Sequence, residues 1–143
     1  YICKEGDIAD KIYFILKGEI SVKKIIISLQ FILNQRAIND IFTKKQYLTT
    51  VHITQCAKEA TEVVEQIGAE YDIIVCSGGD GTLDEVVSGV MKLERKVPIG
   101  YIPCGSTNDF ASSLGIPKDM VKAAEVAAGN NILPRVWAYL QII

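Results

Sequence analysis

Ile73-Ile74-Val75-Cys76-Ser77-Gly78-Gly79-Asp80-Gly81-Thr82-Leu83-Asp84-Glu85 is a short apolar run that passes through glycines into a segment of helical periodicity. Residues 72–76 are almost wholly apolar, as expected of a strand buried on both faces of a parallel sheet. Leu83, Val86, Val87 and Val90 then recur at the spacing of one helix face. A buried strand that turns through glycines into a helix N-terminus builds a phosphate site. With no side chains in the way, backbone N–H groups can approach phosphate oxygens, and the helix dipole favours negative charge. Asp80 lies inside the loop, where a carboxylate can contact a metal or accept a proton beside transferable phosphate. The stretch therefore predicts nucleotide-dependent phosphoryl transfer.

On either side of this stretch, strand and helix signals alternate. Residues 23–27 are apolar and β-branched, residues 31–47 have room for a poorly patterned helix, and residues 48–54 read as a second strand. Ala60, Val63, Val64 and Ile67 mark one face of a helix that stops at Gly68. Residues 97–102 form the fourth strand, followed by helices over 108–114 and 119–128, with Gly129 as the stop of the last. Alternating units of this length predict a doubly wound α/β fold: a mostly parallel sheet of four or five strands with helices on both faces. Ligands in such sheets bind at the carboxyl ends of the strands.

A second loop falls at that same edge. Pro103-Cys104-Gly105-Ser106-Thr107-Asn108-Asp109-Phe110-Ala111 again follows an apolar strand and opens a helix with small and polar groups. Plain structural readings exist for both loops. Thr82 and Glu85 have the T-x-x-E spacing of a capping box, and Ser106 or Thr107 could be an N-cap. A carboxylate between two glycines, as at Asp80, is more than a plain turn needs.

Together these residues resemble the diacylglycerol kinase catalytic domain family, including bacterial lipid kinases and, more distantly, sphingosine kinases and NAD kinases. The likeness rests on Gly78-Gly79-Asp80-Gly81-Thr82 with Glu85-Val86-Val87-Ser88-Gly89 behind it, and on Pro103-x-Gly105-Ser106-Thr107-Asn108-Asp109-Phe110-Ala111 followed by Leu114-Gly115-Ile116-Pro117. It spans about residues 48–135. The resemblance implies that Gly78, Gly79, Gly81 and Thr82 hold the phosphates of ATP, with Asp80 at the transfer centre. It implies that Glu85 contacts the nucleoside side and that Thr54 lines the nucleotide pocket. Gly105, Ser106, Thr107, Asn108 and Asp109 are placed at the nucleotide site by the second motif. The implied acceptor is the hydroxyl of diacylglycerol or a related lipid, and Mg²⁺ is implied by the charge that phosphoryl transfer must neutralise; its protein ligands are left open. A non-catalytic nucleotide-binding or interaction module is the alternative reading, and an NAD kinase-like enzyme a second; Asn-Asp-Phe-Ala followed by Leu-Gly-Ile-Pro favours the lipid branch.

Two departures from the family pattern stand out. No Gly or Pro occurs between Gly18 and Gly68, so the Asn-Pro and glycine loop that the family has after its first strand is missing. Ser112 stands where an arginine often follows Asn-Asp-Phe-Ala. The ends have their own rhythm. Residues 1–22 read as a β-hairpin, with Glu5-Gly6-Asp7 and a tight turn at Gly18, similar to a piece of a cyclic-nucleotide-binding domain. Residues 23–135 form the nucleotide-binding domain in this reading. Residues 136–143 begin a second, β-rich domain that is otherwise absent, to be supplied by a partner domain or chain.

Composition sets the outer bounds. With 143 residues, 49% hydrophobic and 22% charged, the chain suits one globular α/β domain. A net charge of −2 gives no reason to expect nucleic acid. Cys3, Cys56, Cys76 and Cys104 form no CxxC pair and read as small hydrophobes rather than metal ligands. No apolar run reaches the roughly 20 residues of a membrane span, so a cytoplasmic chain is expected. Lys44-Lys45 and residues 92–96 are solvated faces that would also suit peripheral contact with a membrane surface. His52, the sole histidine, reads as a strand residue rather than a base.

Overall fold

In the structure, a computed structural model, the backbone is described for residues 23–29 and the full chain for residues 34–129. The expected hairpin over residues 1–22, residues 30–33 and the expected strand over residues 133–143 lie outside the described residues. The elements run β1 (Lys23–Leu29), α1 (Gln35–Lys44), β2 (Tyr47–Ile53), α2 (Glu59–Ile67), β3 (Ile73–Gly78), α3 (Asp80–Lys92), β4 (Ile99–Pro103), α4 (Asp109–Ser113) and α5 (Met120–Ala127).

All four strands are parallel, in the order β2-β1-β3-β4. The first crossover leads from β1 outward to β2, and the next returns past β1 to β3. The connections therefore diverge between β1 and β3, the kind of switch point at whose carboxyl edge ligands bind in such sheets. β3 is the inner strand that joins the two halves, with Ile27 opposite Val75 on one side and Cys76 opposite Tyr101 on the other.

Strand alternation sends the side chains of β3 and β4 into two cores. Ile74 and Cys76 of β3 and Tyr101 of β4 pack with Ala60 and Val64 of α2 and with Leu83, Val86 and Val90 of α3. Val75 and Ile102 pack on the other face with Ile38 and Phe42 of α1 and Ala123 and Ala124 of α5. Helices thus cover both faces, as the alternating pattern predicted. The Val86 and Val90 spacing is read correctly, since both are fully buried. α2 and α3 are also tied by the Thr61 hydroxyl, which donates to the Glu85 carbonyl at 2.8 Å.

α1 is shorter than the span allowed by its sequence. Gln46 takes a left-handed conformation at φ 64°, and Tyr47 starts β2 instead of ending the helix. The Tyr47 ring meets Phe42 edge to face at 5.7 Å, so the aromatic pair closes the helix-to-strand turn. After α2 the chain makes one further 3₁₀ turn, Gly68–Glu70, before β3.

Candidate active site at the carboxyl edge of the sheet

β3 ends at Gly78, and α3 begins at once. Gly79 is the N-cap in extended conformation, Asp80 the first helical residue and Thr82 the third. The capping box read from Thr82 and Glu85 therefore does not form, because the helix starts two residues before Thr82. Gly78 lies under Thr82: a Cβ on Gly78 would stand 2.7 Å from Thr82 Cβ.

The second loop is locked against the first. Cys104 N–H donates to the Gly78 carbonyl at 3.0 Å, extending the β3–β4 ladder beyond the strands. One residue on, Gly105 meets Gly79 backbone to backbone, and a Cβ on Gly105 would fall 2.7 Å from Gly79 Cα. Neither Ser106 nor Thr107 caps α4. The cap position belongs to Asn108, in the left-handed region at φ 53°, a conformation Asn tolerates better than most residues. Its side chain turns back on the loop. Asn108 Oδ1 accepts from Gly105 N–H at 3.0 Å, and Nδ2 donates to the Gly105 carbonyl at 2.6 Å. Asn108 is buried, so this double bond to Gly105 fixes the loop from beneath.

Asp80 bridges the loops. Its Oδ2 accepts the Asp109 backbone N–H at 2.9 Å, and its Oδ1 lies 3.3 Å from the Tyr101 hydroxyl. The same hydroxyl stands 3.3 Å from the Gly78 carbonyl. Burial, and then the charge of Asp80, raise the Tyr101 phenol well above its ordinary range, so it stays a donor.

A cleft of about 750 Å³ opens over these loops, within the size range of ligand pockets. Thr54, Gly79, Gly81, Thr82, Glu85, Gly105 and Ser106, all expected from sequence, line it together. Gln55, Cys56, Ala57 and Cys104 line it too and were not expected in the site, the two cysteines having been read as small hydrophobes; their signal is adjacency to Thr54 and Gly105. Gly78 lies beneath, and Asp80 and Asp109 are in neither cleft lining. Thr107 and Asn108 face a second cleft of about 380 Å³, which shares residues 104–106 as a common wall and adds Lys118 and Met120.

Gly81 differs from its neighbours. It is helical and exposed, and a Cβ there would meet nothing within 4 Å. The fold itself has no need of a glycine at this point, and the space belongs to the cleft.

On the far wall, residues 54–57 are shaped by Glu59. Its Oε2 accepts the backbone N–H groups of Gln55 at 2.6 Å and Cys56 at 3.1 Å, and its Oε1 meets His52 Nε2 at 2.9 Å. These bonds, the Gln55 N–H foremost and then His52, hold the carboxyl down to about 2. His52 is thus a β2 residue bound to Glu59, in keeping with its sequence reading. Cys76 is buried, as expected of a small hydrophobe; Cys56 is exposed. Among the described residues no three His, Cys, Asp or Glu side chains are grouped to hold a metal, and no helix is long and apolar enough to cross a membrane.

The sheet order, the cleft and the two interlocked glycine loops define a doubly wound α/β domain with an open cleft at the carboxyl edge of its sheet. Residues 30–135 match the diacylglycerol kinase catalytic domain, and the chain belongs to that family. It is 45% identical over 95 residues to a diacylglycerol kinase of Bacillus subtilis, covering 65% of this chain and 31% of that protein. It is 37% identical over 96 residues to a diacylglycerol kinase of Staphylococcus haemolyticus, covering 64% of this chain and 29% of the relative. The chain thus spans about a third of the length of these curated relatives. A crystal structure of a diacylglycerol kinase from Bacillus anthracis superposes with a TM-score of 0.68 at 25% identity, over 79% of this chain and 40% of that one.

Proposed function

We propose that this chain is the nucleotide-binding part of a lipid kinase that moves the γ-phosphoryl group of ATP to a hydroxyl of diacylglycerol or a related lipid. The observation that carries this reading is the cleft walled by Gly79, Gly81, Thr82, Glu85, Gly105 and Ser106, with Thr54 opposite. Phosphates would lie against the backbone at the start of α3, where the N–H groups of a helix N-terminus and the helix dipole favour anions. Gly81 leaves space there that a methyl group would fill. Glu85, one turn further along α3, and Thr54 would flank the nucleoside. Gly78 and Asn108 serve this site by holding its two loops in place.

In the transfer step the lipid hydroxyl oxygen bonds the γ-phosphorus while the bond to the β–γ bridging oxygen breaks and ADP leaves. Asp80 is the residue we assign to the hydroxyl proton. Each of its oxygens accepts one hydrogen bond from a neutral donor and keeps a further lone pair. Mg²⁺ in such sites is held by one or two carboxylates, substrate phosphates and retained waters, so Asp80 and Asp109 at the start of α4 would suffice to hold it without a dedicated cluster. When bound, the ion neutralises charge on the phosphates.

Lipid access and peripheral membrane contact are part of the same proposal, with a further domain or chain completing the lipid site. Exposed Lys44 and Lys45 suit an anionic surface. The cations of residues 92–96 are engaged within the fold: Lys92 with Glu65, Arg95 with the Ala69 and Tyr71 carbonyls, and Lys96 with the Met91 and Leu93 carbonyls.

The test is a calorimetric titration of the chain with Mg²⁺-ATP beside an Asp80→Ala control. Saturable binding with unit stoichiometry that weakens in the control supports the reading. A folded chain that gives no binding heat overturns it.

A further inference from the structure

Tyr101 has an environment that packing alone does not explain. It occupies a central position of β4, in register with Cys76, and is 6% exposed. The ring belongs to the α2–α3 core and tilts against Phe110 of α4 at 6.4 Å. Phenylalanine would satisfy all of those contacts. The hydroxyl is what differs, and a buried hydroxyl needs an acceptor. Two are in reach, the Gly78 carbonyl and Asp80 Oδ1, each at 3.3 Å. Gly78 already accepts the Cys104 N–H at 3.0 Å. Asp80 Oδ1 is a carboxylate oxygen with no second hydrogen bond among the described residues, which makes it the stronger acceptor. A single proton shared between two acceptors gives long bonds to both, and such bonds shorten when a ligand completes the site.

The geometry points to Tyr101 as a positioning residue for the transfer centre: its hydroxyl, with the Asp109 N–H on the opposite oxygen, fixes the direction in which the Asp80 carboxylate presents its free lone pairs. This rests on the assignment of Asp80 above and deepens it. Without the hydroxyl the carboxylate keeps only the Asp109 bond and can swing about it. Ligand geometry that depends on Asp80 is lost first, while phosphate binding to the backbone of the glycine loops is retained.

The experiment measures ATP affinity with and without Mg²⁺ for the wild-type chain, Tyr101→Phe and Asp80→Asn, with thermal unfolding recorded for each. In the wild type Mg²⁺ tightens ATP binding, and in Asp80→Asn that gain disappears. In Tyr101→Phe the metal-free affinity stays within about twofold, and the Mg²⁺ gain falls by about tenfold, the scale of one hydrogen bond to a charged group. A Tyr101→Phe chain that keeps the full Mg²⁺ gain, while Asp80→Asn loses it, overturns the role of Tyr101 and leaves Asp80 standing. If Asp80→Asn also keeps the gain, or no variant binds ATP, the reading of Asp80 fails and the positioning role falls with it. Because Tyr101→Phe preserves the ring, loss of fold in that variant would place the hydroxyl in stability instead and equally overturn the inference.

Discussion

Replacing Gly81 by alanine should make the protein more stable and the site worse. The residue is the second of α3, exposed, with ordinary helical φ and no atom within 4 Å of a built Cβ. Glycine at an exposed helical position is less favourable than alanine by roughly 0.5–1 kcal/mol, because it loses more backbone entropy on folding. The interior-helix figure is an upper bound so near the N-terminus. For a domain of this size the gain corresponds to a rise of about 2–5 °C in Tm. The same methyl group enters the 750 Å³ cleft, where the proposed phosphate must approach the backbone of the α3 first turn. Ligand at a hundred times its Kd stabilises by about 2.7 kcal/mol, and a hundredfold weaker affinity would remove most of that. Thermal unfolding with and without Mg²⁺-ATP measures both effects in one series. The apo midpoint of Gly81→Ala should rise while its ATP-induced shift collapses. A variant that gains stability and keeps the whole ATP shift would refute the reasoning, since the glycine would then make room for nothing.

Other expectations follow from the same geometry. Gly105→Ala should behave oppositely in the apo protein, losing about 1–3 kcal/mol in urea unfolding as the new methyl meets Gly79 Cα. Asn108→Ala removes both bonds to Gly105 and leaves a left-handed alanine, so a loss of about 2–4 kcal/mol is expected by the same measurement. Asn108→Asp keeps an acceptor for the Gly105 N–H but no donor for its carbonyl, and should fall between the two. Glu59 titrates at about 2 in the folded chain against 4.5 ordinarily, so its contribution is fully present above pH 4.5 and is lost as pH falls toward 2. Unfolding measured across that window should show a smaller pH dependence in Glu59→Gln than in the wild type, together with weaker ATP binding, because residues 54–57 lose their anchor.

The fold was legible wherever a single periodicity ruled. Leu83, Val86, Val87 and Val90 report one buried helix face, and the apolar run before Ser77 reports an inner parallel strand. α1 was blurred because its buried face holds only Ile38 and Phe42, too few to fix a period, and because Gln46 ends the helix without glycine or proline. Most of the cleft was also legible, since close approach to backbone requires glycines and these stand in the sequence. What could not be read were long-range partnerships. Tyr101 looks like one more apolar strand residue, and the carboxylate its hydroxyl reaches lies 21 positions upstream. Glu59 looks like a favourable first-turn acid, with nothing in its spacing to tie it to His52 across the β2–α2 turn. Asn108 was grouped with its loop neighbours, though only its amide, donor and acceptor at once, can hold both sides of Gly105.

The contact of Gly79 with Gly105 joins two chain segments through backbone atoms alone. Most contacts in a core can be retuned, because an enlarged side chain on one partner can be answered by a reduced one on the other. Here the opposing residue is already glycine and has nothing left to remove. In a saturation library of this domain, every replacement at position 105 should cost stability, and no second-site change at position 79 should restore it. For an evolving lineage the two loops are therefore a single inherited unit, free to change around their junction but not at it.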